Sequence, residues 1–211
     1  MNTDFFANID RITSEATAAI NDQRTRPAKK PIYVNVVFHK DLGYPAEQEF
    51  EKTHLALAKK HIENISGREV IVNVIRDAKM RNFNYQSDND VEYGLRKHYD
   101  RNKNPDQAHH SGKPKIEKTL FVTPEHLSFS EPGRTDPCHE YGIASYNNAR
   151  GAAHTLGLLL GATRADGEIT YNGWWNDTFM KYNNESPLRG NDLTYSDANK
   201  QNIRTYLAKF D

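Results

Sequence analysis

Four places in this chain carry residue types that could do chemistry. Cys138, His139 and Glu140 are adjacent and offer a thiol, an imidazole and a carboxylate, each able to ligate a metal or move a proton. Neighbours in sequence cannot easily share one small ion, however, and a Cys/His nucleophile pair needs a third group to orient its base. His109 and His110 look like metal ligands on paper. They sit in a polar stretch between Asn104-Pro105 and Ser111-Gly112, where paired imidazoles are most simply solvated. Trp174 and Trp175 could wall a binding site, although paired tryptophans more often pack structure and close a loop. His154 differs from all of these because its surroundings are almost wholly apolar. A lone His in such a helix is most simply a buried, hydrogen-bonded core residue. Leu156, Leu158, Leu159 and Leu160 are most simply core as well, since a helix apolar all round is a buried helix.

Residues 152–166 read AAHTLGLLLGATRAD. This stretch resembles the metal-binding helix of the metzincin zinc peptidases, whose pattern is H-E-x-x-H-x-x-G-x-x-H. His154 matches the first ligand and Gly161 the glycine turn. Thr155 stands where the general-base Glu belongs, Leu158 at the second ligand and Arg164 at the third. Thr178-Phe179-Met180-Lys181-Tyr182 looks like the family's Met-turn, with Met180 beneath the metal site and Tyr182 where some members carry a tyrosine that reaches the metal. Tyr195-Ser196-Asp197-Ala198-Asn199, followed by Ile203, Arg204, Tyr206 and Leu207, resembles the closing C-terminal helix. The resemblance covers roughly residues 31–210, by motif from 138 onward and by element order before that.

In the active family the spacing has a physical reason. Histidines at i and i+4 share one helix face and reach one zinc. The glutamate beside the first takes a proton from the metal-bound water. The glycine turns the chain back so that a third His closes the tripod. Here the turn is kept and the chemistry is not. Leu158 has no lone pair, Thr155 is no base near neutral pH, and Arg164 is a fixed cation. The resemblance thus implies a zincin/metzincin-like α/β (α+β) fold: a twisted mixed sheet, a central active-site-type helix and a C-terminal helix. It implies no catalytic residue, no confident metal ligand beyond the relic His154, and no cofactor. The function expected is binding of a polypeptide or protein partner through the inherited cleft, near His154, Arg164, Trp174, Trp175, Met180 and Tyr182. One alternative is an active zinc endopeptidase with substitute ligands such as His139 or Tyr182 and a base from Glu140 or Glu168. Another is a structural or oligomer-forming domain. Arg164 could fill the metal's place, donating to Tyr182, Asp166 or Glu168, or it could be a surface residue.

The elements that must position these residues follow from periodicity. Over 211 residues the chain has 28 basic and 28 acidic side chains, and this balance speaks against a nucleic-acid binder. No long apolar run predicts a membrane span. The start MNTDFFANIDRI has neither the basic nor the apolar region of a signal peptide, while the resemblance leans toward a secreted protein. Cys138 is the only cysteine, which excludes an internal disulfide. Residues 1–30 are read as an amphipathic helix, with Phe5, Phe6, Ile9, Ile12, Ala16 and Ile20 on its apolar side, and a linker. Residues 31–211 form one domain, its upper part ending near 162. Strands are predicted at 32–38, 70–75, 119–123 and 142–146, and helices at 46–65, 90–99, 147–162 and from Ser196 on. The stretch 101–118 reads as a long surface loop.

Overall fold

The computed structural model describes residues 29–85, 91–102, 115–125, 133–181 and 189–211. The expected N-terminal helix, His109, His110 and Tyr182 lie outside them. The first strand, β1 (Ile32–Phe38), reads IYVNVVF. A strand so nearly apolar on both faces belongs in the middle of a covered parallel sheet. It pairs in parallel with β2 (Val70–Ile75) and with β3 (Ile116–Thr123). Beyond β3 come β5 (Tyr141–Ser145), also parallel, and the two-residue β4 (Gly133–Arg134), antiparallel and at the edge.

Both faces of this sheet are covered, by alternate residues of the same strands. Val36, Phe38, Leu120, Val122 and Ala144 face one core, with Phe50, Ala58 and Ile62, the leucines at 156, 158 and 159, and Ile203 and Leu207. Val37, Phe121 and Ile143 face a smaller core with Met80, Phe83 and Leu95. The first core is covered by a helical run of α1 (Tyr44–Phe50), a π turn (Glu51–Leu55) and α2 (Ala56–Ser66). That turn corrects the uninterrupted helix expected over 46–65. It adds a residue to one turn, and Leu55 is buried while Leu57 is only half-buried. The second core is covered by α3 (Ala78–Arg81), missed in the sequence, and α4 (Val91–Asn102).

The third strand begins at Ile116, three residues before the predicted start, so the expected 101–118 loop is shorter. Lys118, assigned to that loop, is 2% exposed. Its ammonium donates to the His139 carbonyl at 2.7 Å and the Tyr206 hydroxyl at 2.8 Å. Desolvation lowers its pKa to about 8, only partly offset by Cys138 and Glu140. Two acceptors this close are what make a buried lysine tolerable.

The remaining elements are α5 (Gly151–Leu159), a small sheet of β6 (Ile169–Tyr171), β7 (Trp175–Asp177) and β8 (Gly190–Asn191), and α6 (Asp197–Leu207). The helix begins where predicted, and Ser196 caps α6, its hydroxyl accepting from Asn199 N at 3.2 Å. No described helix is long and apolar enough to cross a membrane.

Candidate functional site

The site is built on α5, every residue of which is buried. It is shorter than the predicted 147–162 at both ends: it begins only at Gly151, and its C-terminal end closes on Gly161 at φ +95. Ala162 N donates to Gly157 O at 2.8 Å and Gly161 N to Leu158 O at 3.0 Å. This paired pattern ends helices at a left-handed residue. A Cβ on Gly161 would stand 2.9 Å from Tyr206 Cβ, so α6 is packed directly on the turn. The glycine therefore serves both φ and close approach.

Below α5 lies a tight turn from Thr178 to Lys181, closed by Lys181 N to Thr178 O at 3.1 Å. Its carbonyls are gripped from above. Arg150, buried just before α5, donates to Lys181 O at 3.1 Å and Thr178 O at 3.5 Å. His154 Nδ1 donates to Phe179 O at 2.8 Å. The side of the turn is filled by rings, with Phe179 against Tyr195 at 5.0 Å and against His61 at 5.2 Å. Met180 is fully buried, and a Cβ on Gly157 would stand 3.0 Å from its sulfur and 2.7 Å from Tyr195 Cε1. Gly157 is thus what lets the turn and Tyr195 approach the helix. Asp177, fully buried at the end of β7, faces Arg189 at 3.5 Å. It also favours the charge on Arg150, whose burial acts the other way.

His154 is entirely buried. Because a carbonyl can only accept, Nδ1 carries the proton and Nε2 presents a bare lone pair, for which the described residues supply no hydrogen-bond partner. Desolvation lowers its pKa to about 4, against the partial support of the Phe179 carbonyl, and the charges of Arg164 and Arg150 push the same way as burial. The ring is neutral at ordinary pH.

The other positions of the motif are occupied differently. Thr155 is fully buried, and its hydroxyl donates to Ile143 O on β5 at 3.0 Å. The edge strand lies directly over it: a Cβ on Gly133 would stand 1.9 Å from Thr155 Oγ1. Leu158 is core, and its carbonyl accepts from Cys138 N at 2.9 Å. Arg164 is exposed, and its Nη2 lies 3.4 Å from Gly133 O, linking the loop after α5 to the edge strand. It is not seated on Asp166, whose carboxylate takes Thr163 and Asn202 at 2.7 Å each. Of the two expectations for Arg164, a surface residue describes the geometry.

As a test of fit, His154 Nε2 is one donor, Leu158 supplies none and Arg164 brings positive charge. Among the described residues no group of three or more His, Cys, Asp or Glu side chains is placed to hold a metal. Cys138 and His139 are exposed, Cys138 at φ +67, and His139 pairs with Asp136 at 3.9 Å. Trp174 and Trp175 are exposed on the β6–β7 hairpin.

Sequence reasoning missed Arg150, Gly133 and Asp177. Arg150 had a signal: a cation placed immediately before an otherwise apolar helix needs acceptors, and the turn supplies them. Gly133 had none, since a two-residue strand has no periodicity to read.

No family model matches the sequence, and no curated protein matches it. Among solved structures, metalloproteinase-II from Bacteroides fragilis is similar, with a TM-score of 0.55 and 14% identity over 85% of this chain and 54% of that one. The chain thus spans about half the length of that protein, and at this identity the likeness speaks for the fold alone. A mixed five-stranded sheet with an antiparallel edge strand, a central helix ending on a glycine turn and a closing C-terminal helix give this chain a metalloproteinase fold, zincin-like and α+β.

Proposed function

We propose that this chain uses the metallopeptidase fold without peptidase chemistry, and that it binds a polypeptide partner on the side that carries Arg164, Trp174 and Trp175. One observation carries the loss of chemistry: the place of the general base is closed. Thr155 is buried, its hydroxyl is spent on a main-chain carbonyl, and Gly133 packs against it. A glutamate there has neither room nor solvent. The metal side agrees, because one bare imidazole nitrogen falls short of the three protein ligands of a catalytic zinc. A binding role survives such a loss, since an extended peptide needs main-chain hydrogen bonds and side-chain pockets rather than a metal.

Elemental analysis after dialysis against excess zinc and removal of free metal tests the first half, together with a casein-cleavage assay. Less than about a tenth of an equivalent of zinc, with no cleavage, is expected. Close to one tightly held equivalent with cleavage overturns the proposal in favour of an endopeptidase with substitute ligands. Screening the whole protein against an immobilised random-peptide array tests the second half. An array with no binder leaves a structural domain as the better description.

A further inference from the structure

The small sheet turns aromatic surface outward. Tyr171 is 66% exposed, Trp174 56% and Trp175 57%. Residues 169–176, ITYNGWWN, contain no charged side chain. The register sets Tyr171 opposite Trp175, and their rings meet at 4.9 Å with 55° between the planes, leaving a V-shaped furrow. The polar groups at the tip are turned inward: Asn176 Nδ2 donates to Asn172 Oδ1 at 2.8 Å and to Trp174 O at 3.0 Å. Asn172 N donates to Trp174 O at 3.2 Å, across a turn that Gly173 makes at φ +98. The hairpin therefore presents the paired rings of Tyr171 and Trp175 to solvent, and an exposed aromatic pair of this kind marks an interaction surface.

We infer that this face docks a neutral, proline-rich segment of a partner protein in polyproline II conformation, an inference that rests on the polypeptide reading above. The charge pattern selects against a charged partner, which would lose hydration against rings that offer no counter-charge. The polar groups these rings carry can donate: the indole N–H has no acceptor capacity at all, and the Tyr171 hydroxyl donates as well as accepts. A polyproline segment is the complement of such a surface. Its pyrrolidine rings are apolar, its prolines have no N–H, and its carbonyls have no internal partners. It is also preformed, so little conformational freedom is lost when it lies along an aromatic furrow.

Fluorescence anisotropy with the whole protein and a fluorescein-labelled decaproline tests this, with a Gly-Ser peptide of equal length as control. A saturable rise is expected for decaproline alone. Tyr171→Ala and Trp175→Ala should each weaken it by about tenfold or more, as truncation of an aromatic anchor does. Because both side chains are exposed, circular dichroism should find both variants folded, and Trp175→Phe should retain part of the binding. No saturation, or equal binding by the variants, overturns the inference. If proline-free peptides on the array bind and lose binding in Trp175→Ala, the proline requirement falls and the polypeptide reading stands. If nothing on the array binds, both fall. Binding to neutral phosphatidylcholine vesicles in place of decaproline, lost in Trp175→Ala, would replace the peptide with a membrane surface.

Discussion

Acid should unfold this protein through His154 more than through any surface group, and the size of the effect can be worked out. In the folded chain the ring is fully buried with its proton on Nδ1, and its pKa is lowered to about 4 from an ordinary 6.5. Below pH 6.5 the unfolded chain therefore binds a proton that the folded chain refuses until about pH 4. The contribution of His154 to stability falls as pH drops through that window and is flat above it. At about 1.4 kcal/mol per tenfold change in proton affinity, the whole window is worth about 3 kcal/mol. The part between pH 7 and pH 5 is about 2 kcal/mol. Burial also lowers His39, His54 and His61, so they steepen the same slope. His154→Asn separates the terms, because its amide nitrogen sits where Nδ1 does and can still donate to Phe179 O. Urea unfolding of both proteins at pH 7 and pH 5 is the assay. The variant will be less stable at both pH values, but it should lose about 2 kcal/mol less between them. Equal losses would refute the reasoning, for they would mean that His154 is not buried as a neutral ring.

Four further outcomes are expected. Thr155→Glu should cost more than about 3 kcal/mol in urea unfolding and bring no zinc binding, since it places a carboxylate beneath Gly133 with nothing to pair it. Gly157→Ala should cost about 1–3 kcal/mol by overpacking, because its Cβ would meet Tyr195 and Met180; thermal melts will read this as a lower Tm. Stability should rise between pH 7.5 and 9.5 as buried Lys118 releases its proton before the unfolded chain does, by about 1–2 kcal/mol, and the rise should vanish in Lys118→Met. Arg164→Ala should change stability by no more than about 0.5 kcal/mol, as an exposed side chain does; a loss of about 2 kcal/mol or more in the same denaturant series would return it to a buried role.

What the sequence made legible is what depends on local pattern. The near-continuous apolar run of β1 reads as a covered strand without knowledge of its neighbours. The start of α6 at Ser196 and the turn at Gly161 are legible because capping and left-handed turns are decided within a few residues, although the pattern carries the helix before Gly161 on to 162. The fold class followed from the resemblance carried by residues 152–166 and their surroundings, with the order of elements in support. What stayed hidden depends on distant partners. The phase change at Glu51–Leu55 leaves no mark in composition. Lys118 reads as surface until Tyr206, far along the chain, comes beside it. Arg164 was open between two placements, and only the position of Gly133 distinguishes them. The site was legible as a partial match to a ligand pattern, whereas the packing of the edge strand on Thr155 was not, since Gly133–Arg134 is too short to announce itself.

His154 has a consequence for how such a site could decay. Its two ring nitrogens have separate employments: Nδ1 is a strut that holds the turn carrying Met180, while Nε2 has no hydrogen-bond partner among the described residues. A histidine whose only duty is to a metal becomes free to drift once the metal is gone, and a leucine then serves the core better. A histidine that also braces the main chain does not. On this view the surviving imidazole is kept by architecture rather than by memory of a reaction. A lone His in a degenerate motif is then a sign of which ligand the scaffold could not spare.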